Sequence, residues 1–248
     1  MFKLLRSYLQ KSDDKISQRE KFRSVCRAAL ELAESNPRDL YILIKILGRN
    51  IQYNYFSEFI KHAGVKGLEE HTSRHLTQPK QSSLWIDAHD KNVSPKLRDW
   101  IMNEVTNNPG DKAVTVDLAK DIVLPWPWNY YRFKGAVENI GKKKPWGPWS
   151  QDESNHMLMC WEPIGICFVG GGNHSLMAGI VNQEGVVKSH IVNEMDAMYE
   201  VIMCGDGESY SFQDNERWEL ASKVQNLDFA LIYEIGRILQ SKGIKYWT

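Results

Sequence analysis

The stretch Phe168-Val169-Gly170-Gly171-Gly172-Asn173-His174-Ser175-Leu176 decides the fold, because an apolar strand runs into three glycines and then directly into a helix start. Glycine lets the backbone turn sharply and approach a ligand closely. A helix that begins at Asn173 points free backbone N–H groups and the positive end of its dipole into that turn. The stretch therefore predicts a binding site for a nucleotide or another phosphorylated ligand, formed by Gly171, Gly172, Asn173, His174 and Ser175.

A purely architectural interpretation of the same stretch stays open. A glycine-rich turn is often only a tight connection in an α/β layer, and the Asn173 side chain would then cap a core helix. The following residues 176–181 are small and apolar on most sides, which predicts a helix packed deep against a sheet.

His174 is the titratable group of the turn and the predicted catalytic residue. A helix N-terminus favours the neutral imidazole, which could act as a base or donate a hydrogen bond to phosphate. The alternative is that the ring only packs or caps. Asp152, Asn155 and His156 precede the neighbouring strands and are further groups that could approach the turn.

The residues from Lys112 to Cys204 resemble the ParB/sulfiredoxin-like fold. Besides Gly171–Ser175, the match comprises an opening strand at 114–118, a second apolar run at 122–124, the connection Pro125-Trp126-Pro127-Trp128-Asn129, and Arg132. The resemblance implies that this region contacts nucleotide phosphates, with Arg132 as a charge clamp. Ser175 stands where the family usually has arginine, and Asn173 stands where sulfiredoxins have their catalytic cysteine, so sulfiredoxin chemistry is not expected. An uncharacterised bacterial family with the same Pro-Trp-Pro-Trp and Gly-Gly-Asn-His-Ser strings is also expected.

Three functions follow as hypotheses. The first is a ParB-like nucleotide- or phosphate-binding protein, with phosphate hydrolysis or transfer left open, whose ligand would be a nucleoside triphosphate with Mg²⁺. The second is a nucleic-acid-binding or processing protein that uses the aromatic and basic region 126–149, for which the alternative is an ordinary solvated loop. The third is a noncatalytic interaction protein of a bacterial defence or toxin system, with a protein partner on the N-terminal helices.

Composition limits these hypotheses. The 248 residues are 42% hydrophobic, enough for a substantial core, and 31 basic side chains balance 31 acidic ones, so no overall positive field favours nucleic acid. The four cysteines are scattered without metal-ligand spacing and are predicted to be buried thiols. No signal peptide and no apolar run of about 20 residues is recognisable, which predicts a cytoplasmic protein with no membrane partner.

The pattern along the chain predicts an α+β protein with a helical N-terminal region, residues 1–108, and an α+β domain, residues 109–248. Helices are expected over 15–34, from Asn36-Pro37 onward, and from Ser94-Pro95 to about residue 107. A small mixed sheet is expected from runs at 157–161, 164–169, 185–192 and 198–203, and a long helix from Asp214-Asn215 closes the chain. His71 and His75, and likewise Asp87, His89 and Asp90, are interpreted as a polar loop rather than as metal ligands.

Overall fold

The computed structural model describes residues 16–63, 93, 95–100, 113–214 and 217–247. Helices lie at both ends of this part of the chain and three small sheets lie between them, which confirms the α+β class. The helices are α1 (Gln18–Ser35), α2 (Leu40–Ala63), α3 (Pro95–Trp100), α4 (Tyr130–Asn139), α5 (Asn173–Asn182), α6 (Asp196–Val201) and α7 (Leu227–Ser241). The strands are β1 (Val114–Asp117), β2 (Ile122–Leu124), β3 (Leu158–Glu162), β4 (Ile166–Val169), β5 (Val186–Ser189), β6 (Val192–Glu194), β7 (Ile202–Met203), β8 (Ser209–Asp214) and β9 (Arg217–Lys223).

The N-terminal helices begin where capping residues stand. Ser17 and Glu20 form a capping box at the start of α1, and Asn36 caps a 3-10 turn, Pro37–Asp39, that leads into α2. These two helices confirm the sequence prediction. The third predicted helix is confirmed over α3, whereas its continuation to residue 107 and the loop with His71, His75, Asp87, His89 and Asp90 lie outside the described residues.

The central sheet is mixed, with strand order β2-β4-β3-β6. Strands β3 and β4 are antiparallel neighbours, as predicted from their sequences, while β2 runs parallel to β4 and β6 runs parallel to β3. A two-stranded sheet, β1-β5, and a three-stranded antiparallel sheet, β7-β8-β9, complete the fold.

Three sequence assignments are wrong. The predicted strand 198–203 is mostly helix α6, whose Met198 and Tyr199 are buried in the core, since a short apolar run does not by itself distinguish a strand from a buried helix. The predicted strand 185–192 is two strands, β5 and β6, in different sheets. The closing helix begins only at α7, because Asn226 caps it by accepting hydrogen bonds from two backbone N–H groups. Of the residues assigned to its first half, Asp214 ends β8 and Arg217–Lys223 form β9.

Two apolar layers enclose the central sheet. Along β4, Ile166 and Phe168 belong to the cluster that contains α1, α2 and α7, while Cys167 and Val169 belong to the cluster that contains α5. This alternation is that of a strand buried on both faces. The predicted boundary between the helical region and the α+β domain, at residues 108 and 109, stays a prediction. The central sheet holds the connection from β4 to α5 in place.

Candidate functional site

The connection from β4 to α5 is the glycine turn, Gly170–Gly172, and it has the predicted strand–turn–helix form. Gly172 precedes the helix in a left-handed conformation, with φ 75°, and no side chain of the described residues caps the helix N-terminus. Asn173 is already helical, so the interpretation of Asn173 as a side-chain cap is wrong. Its Oδ1 instead accepts a hydrogen bond from the Trp126 backbone N–H at 2.7 Å. Within the part of the chain that the structure describes, no side chain therefore accepts a hydrogen bond from the first backbone N–H groups of α5.

The fold itself requires two of the glycines. A Cβ atom at Gly171 would lie within 3.0 Å of the Asn155 carbonyl oxygen, and one at Gly172 would lie within 3.0 Å of the His156 ring. The segment that precedes β3 therefore packs directly on the turn, as the sequence suggested for Asn155 and His156. Packing against residues 155 and 156 explains why glycine occupies both positions, so the two glycines do not by themselves indicate a ligand.

Those groups surround a cavity of about 550 Å³ at the N-terminus of α5, called here the α5 cavity. All six residues predicted as ligand-binding line it: Gly171, Gly172, Asn173, His174, Ser175 and Arg132. The rest of the lining consists of Trp126, Trp128, Gly135, Ala136, Ile140, Trp146, Asn155 and Gly170. The volume is within the range of about 300–1,000 Å³ that is usual for small-molecule sites.

The charge in the α5 cavity comes from Arg132, in the first turn of α4. Its backbone N–H donates to the side chain of Asn129, which caps α4, and its guanidinium lies 5.1 Å from the centre of the Trp128 ring. No ion pair involving Arg132 forms among the described residues. The guanidinium is thus available for an anion, and Trp146, 70% exposed, adds an aromatic ring at the rim.

No carboxylate belongs to the described lining of the α5 cavity. Mg²⁺ is usually held by one or two carboxylates together with substrate phosphates. The lining therefore does not fit a protein-bound Mg²⁺, and an ion that accompanied a nucleotide would be held by the phosphates of the ligand.

One ring nitrogen of His174 is occupied by hydrogen bonds within the protein. Its Nε2 accepts hydrogen bonds from the backbone N–H groups of Asn129 at 3.1 Å and Trp128 at 3.3 Å. The neutral ring consequently carries its proton on Nδ1, and Nε2 is not available as a base. Burial, and then the nearby charge of Arg132, lower the pKa of His174 to about 4. Its predicted catalytic role stays a prediction; its observed contacts fix the loop that carries Asn129 and hence Arg132.

The lowered pKa of His174 predicts a loss of stability in mild acid. Well above pH 6.5 the ring is neutral in both the folded and the unfolded chain. Between pH 6.5 and about 4 the unfolded chain binds a proton that the folded chain does not bind, so the free energy of unfolding falls, by less than about 3 kcal/mol because solvent screens the partly exposed ring. His174→Gln should remove this component from the pH profile of urea unfolding, and the exposed His190→Gln is the control. Equal slopes for wild type and His174→Gln would contradict the assignment.

Ser175 and His156 form a second hydrogen-bonded pair behind the turn. The backbone N–H of Asp152 donates to His156 Nδ1, so the neutral ring has its proton on Nε2 and donates to Ser175 Oγ, 2.6 Å away. Ser175 Oγ in turn donates to the Gly172 carbonyl. A nucleophilic serine needs the reverse polarity, with the histidine accepting the hydroxyl proton. The pair therefore supports the turn, and burial lowers the pKa of His156.

A second cavity, of about 470 Å³, adjoins the first and shares Asn155 and Gly171 with it. Lys188 and His190, from β5 and the residue that follows it, contribute to its wall. No pattern in the sequence indicates this cavity, because β5 reaches the turn only through the tertiary fold.

The lysines of the basic region and the four cysteines do not line the α5 cavity. Lys134 in the basic region pairs with Glu138, and Lys144 donates to the Val137 carbonyl, so these two lysines are partly engaged by the protein. Cys160, Cys167 and Cys204 are buried free thiols, as predicted, and Cys26 is half-buried.

Within the described ranges, no three His, Cys, Asp or Glu side chains form a metal-binding group. Among the described residues, no helix combines the length and the apolar character that a membrane span requires.

Comparison with known families places residues 7–246 in a family of unknown function, DUF6710. The match extends over nearly the whole chain, so the chain belongs to this family. No curated protein and no solved structure matches it.

Proposed function

We propose that this member of the DUF6710 family binds a phosphorylated ligand with an aromatic ring, of the nucleotide class, in the α5 cavity. One observation carries the proposal: a single cavity of about 550 Å³ combines an uncapped helix N-terminus, an arginine without an ion pair among the described residues, and three tryptophans. The helix N-terminus and Arg132 suit the phosphate, because backbone N–H groups and a planar guanidinium both donate to its oxygens.

The tryptophans favour a nucleotide over inorganic phosphate. Trp126, Trp128 and Trp146 line the cavity together with Arg132. Of the three, Trp126 uses its indole N–H inside the protein, where it donates to the Val169 carbonyl. A base stacked on an aromatic side chain contributes about 1–3 kcal/mol to binding, which an inorganic ion cannot gain.

The proposal covers binding. His174 Nε2 and the Ser175 hydroxyl proton are both engaged by the protein, so no described group of the turn is free to act as a base or an activated nucleophile. The ParB-like assignment and phosphate hydrolysis or transfer remain predictions from the sequence.

A thermal-shift screen tests the proposal. The ligands are nucleoside mono-, di- and triphosphates of each base, inorganic phosphate and a short single-stranded oligonucleotide, each with and without Mg²⁺. A nucleotide at about 100 times its Kd should stabilise the folded chain by about 2.7 kcal/mol and raise Tm by about 5–10 °C.

Each outcome of this screen is decisive. Absence of a shift with every nucleotide at millimolar concentration would overturn the proposal, and an equal shift with inorganic phosphate would overturn its aromatic part. A shift with the oligonucleotide alone would favour the nucleic-acid hypothesis in its place.

A further inference from the structure

Two cysteines that the nucleotide proposal does not use lie directly opposite each other in the central sheet. Cys160 on β3 pairs with Cys167 on β4 in the antiparallel register, both side chains are fully buried, and their sulfur atoms are 2.6 Å apart. Both side chains lie on the face that packs against α5. The sequence predicted scattered buried thiols and did not indicate that two of them lie this close together.

The backbone hydrogen bonds show which kind of position the pair occupies. The Cys160 N–H donates to the Ile191 carbonyl and therefore points away from β4. Three residues from the cysteine pair in the same ladder, the Gly170 N–H donates to the Met157 carbonyl, so residues 157 and 170 form a hydrogen-bonded pair. Since bonded and non-bonded pairs alternate in an antiparallel ladder, Cys160 and Cys167 occupy a non-hydrogen-bonded pair. The Cα atoms of such a pair are about 4.5 Å apart, at the short end of the range of about 4.4–6.8 Å for disulfides.

We propose that Cys160 and Cys167 form a reversible cross-strand disulfide, with a low-molecular-weight disulfide such as oxidised glutathione as the oxidant. One cysteine thiolate attacks a glutathione sulfur and releases the first glutathione thiolate. The second cysteine thiolate then attacks the mixed disulfide at the protein sulfur and releases the second. Two protein thiols are oxidised to one disulfide, and one oxidised glutathione is reduced to two thiols.

Access to the pair requires the strands to separate or the chain to fold in the presence of the oxidant. Both sulfur atoms are enclosed, and burial raises the pKa of Cys167 well above its usual range, so the reactive thiolate is scarce in the folded sheet. Only the six residues 161–166 separate the two cysteines. The β3-β4 hairpin can therefore bring the thiols together early in folding.

The disulfide would link the two strands next to the glycine turn. Gly170 follows β4 directly and bonds back to Met157, the residue before β3. The oxidised chain should consequently have a higher Tm than the reduced chain, because the cross-link restricts the unfolded state.

The test is refolding of the full chain in glutathione buffers of increasing oxidised fraction, followed by acid quenching and alkylation of the remaining thiols in denaturant. No Lys or Arg lies between Pro145 and Val187, so one tryptic peptide ending at Lys188 contains both cysteines. In the oxidised chain that peptide should carry no alkyl label and should be two hydrogen atoms lighter than the unlabelled dithiol peptide. Chymotryptic cleavage after Trp161 should then give two linked peptides. Cys26 and Cys204 should stay labelled.

The cysteine variants provide the matched comparison. Cys26→Ser should still form the disulfide, whereas Cys160→Ser should leave Cys167 fully alkylated or bound to glutathione. Two labels on the wild-type peptide in the most oxidising buffer, or equal loss of label at all four cysteines, would overturn the proposal. Because the peptide assay uses the wild-type chain, this result does not depend on the folding of any variant or on nucleotide binding.

Discussion

Gly172→Ala is expected to destabilise the fold by about 3 kcal/mol, the sum of a backbone cost of about 1–2 kcal/mol and an overpacking cost of about 1–3 kcal/mol. Gly172 has φ 75°, which L side chains rarely adopt, and its Cβ would lie within 3.0 Å of the His156 ring. That ring cannot easily move away, since it stacks on Trp149 with ring centres 4.8 Å apart and is hydrogen-bonded to Asp152 and Ser175.

Gly147→Ala separates the two causes. Gly147 has φ 80°, but a Cβ there would meet no atom within 4 Å, so only the backbone cost applies. Urea unfolding of both variants measures the difference. Equal losses of unfolding free energy would contradict the close packing of His156 on the turn, and a chain too unstable to purify in the Gly172→Ala form alone would agree with it.

Arg132→Ala is expected to weaken nucleotide binding by about tenfold or more. A hydrogen bond between charged groups contributes about 1.5–3 kcal/mol, and 1.4 kcal/mol corresponds to a factor of ten in Kd. Arg132 is the one cationic side chain in the described lining of the α5 cavity. Isothermal titration calorimetry with the best nucleotide of the screen measures the change.

Lys134→Ala is the matched control for Arg132→Ala. Lys134 lies on the same helix and is exposed, but it pairs with Glu138 and does not line the cavity. Its removal should leave Kd within about twofold, since exposed charges away from the site have small effects. Arg132→Lys should fall between the two, because it keeps the charge and loses the planar fork of donors. Equal Kd values for Arg132→Ala and Lys134→Ala would show that Arg132 does not bind the phosphate.

The sequence predicted the glycine turn at the centre of the candidate site, because the strand, the turn and the helix are contiguous in the chain. Strand, glycines and helix follow one another without interruption from 166 to 182, so apolar content and glycine sufficed to define the turn. Arg132 lines the same cavity, and its assignment as a charge clamp stays a prediction. Its place there depends on hydrogen bonds from the loop at 128–129 to His174, which no spacing rule reveals.

The hydrogen-bond roles at the turn could not be predicted, since they depend on tertiary contacts. The sequence predicts His174 as a base or a hydrogen-bond donor, but it does not reveal that two backbone N–H groups from a loop some 45 residues earlier occupy its Nε2 and leave the proton on Nδ1. His156 and Ser175 are 19 residues apart, and the proton direction between them is set by the Asp152 N–H.

The C-terminal misassignment has a local cause. Trp218, Ala221 and Val224 are three residues apart and therefore imitate one face of a helix. The competing signal was the alternation in β8, where Tyr210 and Phe212 are buried, and the cap at Asn226 that marks the true helix start. Residues 217–223 therefore pair with β8 as a strand, although their apolar spacing is that of a helix.

The most direct test of nucleotide binding is a titration of the ¹⁵N-labelled chain followed by amide and indole N–H resonances. Binding in the α5 cavity predicts saturable shifts of the backbone amides of residues 172–175 and of the indole N–H groups of Trp128 and Trp146, with the amides of β8 and β9 unchanged. Saturable shifts confined to other parts of the chain, or no shift at millimolar nucleotide, would contradict the assignment of the α5 cavity as a nucleotide site.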